Sequence, residues 1–383
     1  MTIPDIRPVR AFLEERHTSI ASEIGAFARD VVPRSEPGDD AAARTEARGL
    51  LAQVGAAGWF DPIRKQDWRG CCLVREALAA ASPLADAVFA LQGLGTLPIL
   101  LSENASLRDR WVDAAIAGRA MAAFAMTEPE AGSDVTAIGT TARREGDSYF
   151  LNGTKTYISN AGIADFYTVF ASTDPAAGGK GISCFVVPAD TAGLRFVRPQ
   201  ILSAPHPLGE IAFESCRVPA ANRLGEEGRG YALGLRTLDR MRATVGAAAC
   251  GMAARALAEA CEHARVRRQF GKTLAEFQLV QEKLARMATD LTAARLLVYR
   301  AAWAADHGAA RVTLEAAMAK AFATEAAQRV VDDAVQVLGG AGVMASHPVD
   351  RLYRAVRALR IYEGTTEIQH LVIAGQLMQD SGA

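Results

Sequence analysis

The spacing of apolar residues changes twice along the chain, and this limits the possible folds more than any other feature. Up to about residue 120, and again from about residue 226, apolar residues recur every three or four positions, which predicts amphipathic helices. Between these regions the chain has short β-rich runs separated by turn residues, which predict strands. The sequence therefore predicts a mainly α protein with a central β domain, divided into an N-terminal helical domain (1–120), a middle β domain (121–225) and a C-terminal helical bundle (226–383).

The middle segment has clear strand and turn signals. Asn152-Gly153 separates Ser148–Leu151 from Lys155–Ser159, and because both residues of this pair tolerate positive φ, it predicts a hairpin turn. Pro188 and Pro219 each follow a β-rich run, and we expect them to end strands, since proline cannot donate to a β-ladder.

The C-terminal segment predicts long helices suited to packing in a bundle. A glycine-rich stretch at 339–342 is expected to end one helix, and Pro348 to begin the next. One apolar stripe has spacings of four and three, and its members are Val280, Leu284, Met287, Leu291, Ala294 and Val298.

Composition excludes several classes of function. The 383 residues have a formal net charge of -1, so no electrostatic feature predicts binding to nucleic acid or to an anionic membrane. The six cysteines form no CxxC pair and the six histidines show no helical ligand spacing, so we expect no metal and no disulfides. The first residues do not resemble a secretory signal, which favours a cytoplasmic location. The Rossmann GxGxxG, the P-loop, GxSxG and HExxH motifs are absent.

Two polar segments of the middle region are candidates for ligand binding. The segment 125–134 (AMTEPEAGSD) contains hydroxyls and a glycine turn that can bind a polar ligand. The alternative is an ordinary connecting loop with no ligand. In the segment 152–162, Tyr157 and Ser159 lie on one face of a strand, where an aromatic face and a hydroxyl suit a flat ring. An ordinary half-buried strand is the alternative.

Two further candidates lie in the C-terminal region. The segment 265–272 (RVRRQFGK) places guanidinium groups beside a glycine, which suits a pyrophosphate or a solvated helix end. In the segment 357–369, Glu363 precedes a helix that Thr365 or Thr366 can cap, with Gln369 in a capping-box position. If Glu363 lies in a dry cleft, its carboxylate becomes a stronger base. The alternative is that Glu363 has no catalytic role and is favoured there by the helix dipole.

Taken together, TEPEAGSD, NGTKTYIS, RRQFGK and YEGTTEIQ resemble the acyl-CoA dehydrogenase family in residues, order and spacing. The resemblance covers essentially the whole chain. It implies an N-terminal helical domain, a β-barrel-like middle domain and a C-terminal four-helix bundle. It also implies FAD between the last two domains, in contact with a neighbouring subunit, and a homotetramer or at least a dimer.

The resemblance also implies site residues. Thr127 and Ser159 match hydroxyls near the flavin ring. The implied FAD contacts are Met126, Thr127, Gly132, Ser133, Tyr157, Ser159, Arg267, Gln269, Phe270, Gln278, Gln336, Val337, Gly339, Gly340, Thr365 and Glu367. The segment 267–278 matches one that reaches FAD across a subunit interface, and the stretch 336–340 matches one that binds the diphosphate–adenosine portion. The implied substrate contacts are Ser133, Asp239, Arg242, Tyr362 and Gly364.

The chain differs from the family pattern at two positions. Tyr157 stands where many relatives have tryptophan, so the ring that covers the flavin differs here. Some relatives carry the catalytic glutamate on the helix that contains Asp239 and Arg242, but here the residue before Arg242 is Met241. Because methionine cannot take a proton, the resemblance implies that Glu363 is the base.

The implied reaction is α,β-dehydrogenation of an acyl-CoA or acyl-carrier-protein thioester to the trans-2-enoyl thioester, as in fatty acid metabolism. Glu363 removes the α-proton, FAD accepts the β-hydride, and an electron-transferring flavoprotein reoxidises the flavin. The alternatives are a flavin oxidase or monooxygenase of the same fold and a non-catalytic, DNA-associated member. Asp86, Ala87, Ala90 and Gly93 are expected to form the floor of the acyl pocket, where small residues suggest room and Asp86 suggests a polar or branched acyl end.

Overall fold

Helices occupy both ends of the chain in the computed structural model, which describes residues 3–33, 35–309 and 311–380. The N-terminal α-helices are α1 (Glu15–Asp30), α2 (Asp40–Ala56), α3 (Asp61–Lys65), α4 (Trp68–Ala81), α5 (Pro83–Leu101), α6 (Ala105–Leu107) and α7 (Asp113–Ile116). The C-terminal α-helices are α8 (Gly230–Val266), α9 (Gln278–Asp306), α10 (Thr313–Leu338), α11 (Pro348–Leu359) and α12 (Thr366–Asp380).

Strands fill the middle of the chain, apart from one small hairpin. The main-sheet strands are β1 (Ala122–Ala125), β2 (Thr141–Glu145), β3 (Ser148–Ser159), β4 (Phe166–Ser172), β5 (Ile182–Pro188), β6 (Leu194–Pro199), β7 (Leu208–Pro219) and β8 (Arg223–Leu224). The hairpin consists of β9 (Arg268–Gln269) and β10 (Lys272–Thr273). The order helices, strands, helices agrees with the predicted fold class.

The main sheet has eight strands in the order β6-β7-β3-β2-β4-β5-β8, with β1 paired to β4. The neighbours pair antiparallel, except that β1 and β2 each run parallel to β4. The inward side chains of β3, β4, β5 and β7 form a fully buried core that includes Tyr149, Val169, Phe185 and Ile211.

The hairpin predicted at Asn152-Gly153 is wrong. Both residues lie inside the continuous strand β3, which pairs with β7 on either side of a register shift between Leu151 and Gly153. Gly153 adopts φ 147°, and the Asn152 side-chain oxygen accepts a hydrogen bond from Ser215 N at 2.8 Å. A residue pair that tolerates positive φ suits a β-bulge as well as a turn, and here the pairing with β7 selects the bulge.

The predicted strand and helix ends are confirmed at several points. Pro188 and Pro219 are the last residues of β5 and β7. Helix α10 ends directly before the glycine-rich stretch, and α11 begins at Pro348. In the predicted stripe of α9, Met287, Leu291, Ala294 and Val298 are buried, while Val280 and Leu284 are half-buried.

The chain forms two compact units that do not follow the linear order of the sequence. The helical unit contains Met1–Glu36, Asp67–Asp86 and Arg242–Ala383, and the sheet unit contains Pro37–Gln66 and Ala87–Met241. Two of the four boundaries fall within helices, one in α5 and one in α8.

Helix α5 is the one helix among the described residues with the length and apolar composition of a membrane span. Of its most apolar window, 78% is buried inside the protein, as in the core helix of a soluble protein. This helix is therefore weak evidence for a membrane segment.

Candidate active site

The loop between α11 and α12, Ile361–Thr365, holds Glu363 in an unusual backbone conformation. Glu363 has φ 55° and Gly364 has φ 90°, and a left-handed conformation is uncommon for a residue other than glycine. Such a conformation persists only where the surrounding contacts determine it. We call this segment the Glu363 loop.

Buried side chains of the helical unit hold this loop through its carbonyl groups. Arg242 Nε donates to Glu363 O at 3.3 Å, and Gln369 Nε2 donates to Glu363 O at 3.2 Å and to Gly364 O at 3.0 Å. Lys320 Nζ donates to Gly364 O at 2.7 Å. Arg242, Lys320 and Gln369 are themselves buried, so the loop backbone is bound on several sides.

The start of α12 agrees in part with the predicted cap. Thr365 Oγ1 accepts a hydrogen bond from Ile368 N at 3.3 Å, so Thr365 is the cap. Thr366 instead donates to Glu325 Oε1 at 2.7 Å, and Gln369 binds the loop carbonyls rather than completing a capping box.

The Glu363 carboxyl group is enclosed by protein but incompletely paired. Its Oε2 atom is buried and has no hydrogen-bond partner among the described residues, although the residue as a whole is partly exposed. Burial raises the pKa of Glu363, while the charges of Arg75, Lys320 and Arg242 oppose this rise and Asp86 adds to it. A buried, unpaired carboxylate with a raised pKa has the properties of a general base.

Asp86 does not offer a free carboxylate, contrary to the suggestion that it marks a polar acyl end. Its two oxygens accept hydrogen bonds from Arg75 Nε at 2.7 Å and Arg75 Nη2 at 2.9 Å, and its side chain is 3% exposed. The carboxylate is thus fully used by a buried ion pair inside the helical unit.

Gly93 and Met241 pack together within the sheet unit. A Cβ atom at Gly93 would lie 2.8 Å from Met241 Cε, and Met241 is completely buried. The small residue at position 93 therefore leaves space for Met241 rather than for an acyl chain, which corrects the interpretation of Gly93 as pocket room.

In the sheet unit, the structure brings the first two candidate segments together. Lys155 Nζ donates to Met126 O at 3.0 Å and to Glu128 Oε1 at 2.7 Å, and Thr156 N donates to Thr127 O at 3.0 Å. Glu128 also accepts hydrogen bonds from Gly139 N and Thr140 N, which closes the loop that follows β1. Gly132 and Ser133 lie exposed on this loop.

Tyr157 and Ser159 lie at a second irregularity of β3, where its register with β7 shifts. Tyr157 has φ 55°, its side chain is 64% exposed, and its N–H donates to Gln200 Oε1 at 2.8 Å. Ser159 Oγ lies 2.7 Å from His206 Nε2, and burial lowers the pKa of His206 to about 4, so this imidazole is neutral at pH 7. The face therefore presents an exposed aromatic ring next to an oriented hydroxyl.

The remaining cofactor candidates of the helical unit are mostly surface residues. Phe270 is 92% exposed at the tip of the β9–β10 hairpin, and Arg267, Gln269 and Gln278 are also exposed. Gln336, Gly339, Gly340 and Glu367 are exposed as well, Thr365 is half-buried and Val337 is buried. Added Cβ atoms at Gly339 and Gly340 would meet nothing within 4 Å, so their backbone is open to a ligand.

The substrate candidates are divided between the two units. Ser133 and Asp239 belong to the sheet unit, whereas Arg242, Tyr362 and Gly364 belong to the helical unit. There, Arg242 donates to the carbonyl of Glu363, the residue before Gly364. Asp239 is half-buried, and Tyr362 is 38% exposed.

Sequence reasoning missed several polar residues that shape these sites, among them Arg75, Lys320, Glu128 and His206. A sequence signal exists for two of them. Arg75 follows the apolar run 70–74 of α4, and Lys320 interrupts an alanine-rich helix, so both positions predict a buried cation with a specific partner.

One cluster of described side chains has the spacing of metal ligands: His17, Asp67 and Asp306. Arginines already pair with both carboxylates, since Arg16 binds Asp67 at 2.5 Å and Arg69 binds Asp306 at 2.5 Å. We therefore interpret the cluster as an ion-pair network of the helical unit.

Family models match two parts of the chain. The model described as acyl-CoA dehydrogenase, middle domain, matches residues 123–216, and the model described as acyl-CoA dehydrogenase, C-terminal domain, matches residues 228–378.

Similar proteins span nearly the whole chain. The 3-(aryl)acrylate reductase of Clostridium sporogenes is 38% identical over 381 residues, which cover 96% of this chain and 100% of the relative. The structure of butyryl-CoA dehydrogenase from Megasphaera elsdenii matches with a TM-score of 0.89 and 32% identity, covering 96% of this chain and 99% of that one. The structure of PigA with FAD and proline matches with a TM-score of 0.87 and 30% identity, covering 95% and 98%.

Proposed function

Because the chain belongs to the acyl-CoA dehydrogenase family of FAD-dependent oxidoreductases, we propose that it converts an acyl thioester to the trans-2-enoyl thioester, with Glu363 as the base. The observation that supports this role is the buried, unpaired Oε2 atom of Glu363 on a loop in which the Glu363 and Gly364 carbonyls are both held by side chains. An α C–H beside a thioester is weakly acidic, so its removal needs a positioned base in a water-poor site.

The residues present fit FAD. The sheet unit offers an exposed aromatic ring at Tyr157, an oriented hydroxyl at Ser159 and an exposed glycine turn at Gly132, which suit a flat ring with polar edges. In the helical unit, exposed Arg267 and the open backbone at Gly339 suit a diphosphate. When bound, FAD supplies the acceptor for the β-hydride.

The chain itself contributes the proton transfer and the stabilisation of charge. Glu363 Oε2 takes the α-proton. The Glu363 N–H donates to no described residue, so it is available to the thioester oxygen as negative charge develops there. The bonds from Arg242 and Gln369 to Glu363 O hold this peptide in position.

We predict that Glu363→Gln keeps bound yellow flavin but loses nearly all dehydrogenation, because the amide has nearly the shape of the carboxylate and cannot accept the proton. Activity is measured with an acyl-CoA and a dye acceptor, and flavin content by absorbance. Glu103→Gln, at an exposed glutamate of the sheet unit, is the matched control and should behave as the wild type. Wild-type turnover of the Glu363 variant would exclude this base.

Reoxidation of the flavin defines the competing functions. We propose an electron-transferring flavoprotein as the acceptor, which predicts slow oxygen consumption with substrate. Rapid oxygen uptake would instead favour a flavin oxidase or monooxygenase of the same fold. A non-catalytic, DNA-associated function would show a shift of DNA on a gel and no substrate-dependent bleaching of the flavin.

The acyl group is carried by CoA or by the phosphopantetheine of a carrier protein, with contacts proposed at Ser133, Asp239, Arg242, Tyr362 and Gly364. Since the Asp86 carboxylate is paired with Arg75, we do not propose that Asp86 binds a polar end of the acyl chain. A panel of acyl-CoA esters of varied length, branching and polarity, assayed with a dye acceptor, identifies the preferred acyl group.

We also propose a cytoplasmic homotetramer. Exposed apolar side chains are concentrated on the helical unit, including Phe270 at 92%, Leu279 at 81% and Leu371 at 68%. An apolar depression between α9, α10 and α12 lies on the same unit and is lined by Leu297, Met318, Ala321, Phe322, Glu325, His370 and Ile373. Exposed apolar surface of this kind is typical of a subunit interface.

A further inference from the structure

A buried ion pair of the helical unit lies next to the Glu363 loop. Arg75 of α4 is completely buried and binds Asp86, in the first turn of α5, through two parallel hydrogen bonds of 2.7 and 2.9 Å. Its Nη1 atom donates to Thr244 Oγ1 of α8 at 3.0 Å. Arg75 is therefore fixed by contacts to two other helices, with a geometry that a lysine cannot reproduce.

Helix α8 connects this pair to the loop. Thr244, which binds Arg75, is two residues from Arg242, whose guanidinium donates to Glu363 O at 3.3 Å. Electrostatic attraction couples the buried Arg75 guanidinium to Tyr362 and Glu363 of the loop.

We propose, on the basis of the function proposed above, that the Arg75–Asp86 ion pair is a positioning unit that keeps the Glu363 carboxylate ionised at neutral pH without binding it directly. A buried carboxylate with no compensating charge takes up a proton and cannot act as a base. A carboxylate bound directly by an arginine is ionised but is a weak base. Arg75, whose charge is partly offset by Asp86, attracts the Glu363 carboxylate enough to keep it ionised but less strongly than a directly bound arginine would.

The other charged groups near Glu363 differ from Arg75 in their hydrogen bonds, in the sign of their charge or in the pH range over which they are charged. Lys320 of α10 and Arg242 of α8 donate to loop carbonyls, and Asp86 of α5 opposes the cations. Burial lowers the pKa of Lys320 to about 8, so its charge is lost as the pH rises above that value. Arginine keeps its charge at every relevant pH, so Arg75 is a permanent countercharge. The residue Tyr362 on the loop itself is 38% exposed, but desolvation of its hydroxyl raises the pKa of that group, so it is neutral.

The proposal predicts opposite effects for the two members of the pair. In Arg75→Met the Glu363 base loses an attractive charge, so its pKa rises. The low-pH limb, which is the fall of kcat/KM as the base takes up a proton, therefore moves to higher pH. In Asp86→Asn the opposing charge is lost, and the same limb moves to lower pH. The activity at pH 6 relative to pH 8 should change at least about threefold in each variant, in opposite directions. A purely structural pair would shift the limb in neither variant, or in the same direction in both.

Two further variants separate positioning from folding. Arg295→Met removes another buried arginine of the helical unit, one bound to Glu76 at 2.6 Å, and should lower stability without moving the limb. Arg75→Lys loses the two parallel hydrogen bonds to Asp86 but keeps a positive charge at low pH, so the low-pH limb should stay near its wild-type position. If Arg75→Met does not fold, Asp86→Asn and Arg75→Lys test the proposal without it.

Infrared difference spectra provide a readout that does not depend on turnover. The protonated carboxyl band that disappears in Glu363→Gln should titrate at higher pH in Arg75→Met and at lower pH in Asp86→Asn. Unchanged titration in both variants would overturn the proposal. Wild-type turnover in Glu363→Gln would instead overturn the proposed function, so the two failures are distinguishable.

Discussion

At the Glu363 loop, burial acts on groups of opposite charge that lie within one cluster of side chains. It raises the pKa of the Glu363 carboxyl and lowers the pKa of the Lys320 ammonium, because in both cases the charged form is disfavoured. Their mutual attraction opposes both shifts. A sequence pattern identifies the glutamate, but it contains no information about the burial that changes its chemistry.

Lys320→Met tests this burial through stability. The folded Lys320 titrates near pH 8, whereas an unfolded lysine titrates at about 10.4, so across this window the unfolded chain holds the additional proton. The unfolding free energy of the wild type should therefore rise relative to that of the variant between pH 8 and about 10.4, by at most about 3 kcal/mol. Urea unfolding at several pH values measures the difference, and parallel curves for the two proteins would contradict it.

At the scale of elements, the loop after β1 is held in place by a charge pair with β3 in addition to a backbone hydrogen bond from that strand. The Glu128 side chain is 7% exposed, and it binds Lys155 of β3 and two backbone N–H groups beyond the exposed turn at Gly132. Burial lowers the pKa of Lys155 to about 8, and Glu128 opposes this shift. The pair thus joins two segments that are widely separated in sequence.

Glu128→Gln leaves the buried Lys155 without its countercharge, and removing one partner of such a pair costs about 3–5 kcal/mol. We expect a lower unfolding free energy and weaker flavin retention, because the turn at Gly132 and Ser133 loses its anchor. Urea unfolding and flavin content after gel filtration are the measurements. Glu130→Gln changes an exposed glutamate of the same loop and serves as the control. Equal flavin retention in both variants would argue against the anchoring role.

At the scale of the molecule, the exposed β9–β10 hairpin is the feature that best supports the proposed subunit interface. Phe270 is 92% exposed with φ 52°, and its only ring contact among the described residues is with Phe277, at 6.3 Å between centroids. A single chain gains nothing from an aromatic side chain held in solvent, whereas a subunit interface buries it.

Phe270→Asp should therefore shift the protein to a smaller oligomer and reduce flavin retention, since a charge replaces an apolar contact that we assign to the interface. Light scattering after gel filtration gives the mass, and circular dichroism checks the fold. Val31→Ser, at another exposed apolar residue of the helical unit, should leave the mass unchanged. An unchanged mass in Phe270→Asp would exclude the hairpin from the interface.

Some features of the fold and the site followed from local sequence patterns. The helix stripe of α9, the ends of β5 and β7 at proline, and the cap at Thr365 were predictable because each depends on a few neighbouring residues. The Asn152-Gly153 pair was misinterpreted because glycine is used both in hairpin turns and at β-bulges, and only the distant strand β7 distinguishes them.

The sequence by itself determined the fold class, the family and the position of Glu363 as the candidate base, since these depend on periodicity and on short motifs in a fixed order. Only the tertiary structure decided what surrounds Glu363. Arg75, Asp86, Arg242 and Lys320 come from four different helices and meet only when those helices pack. Burial and electrostatic attraction depend on distance through space, and separation along the chain does not determine that distance.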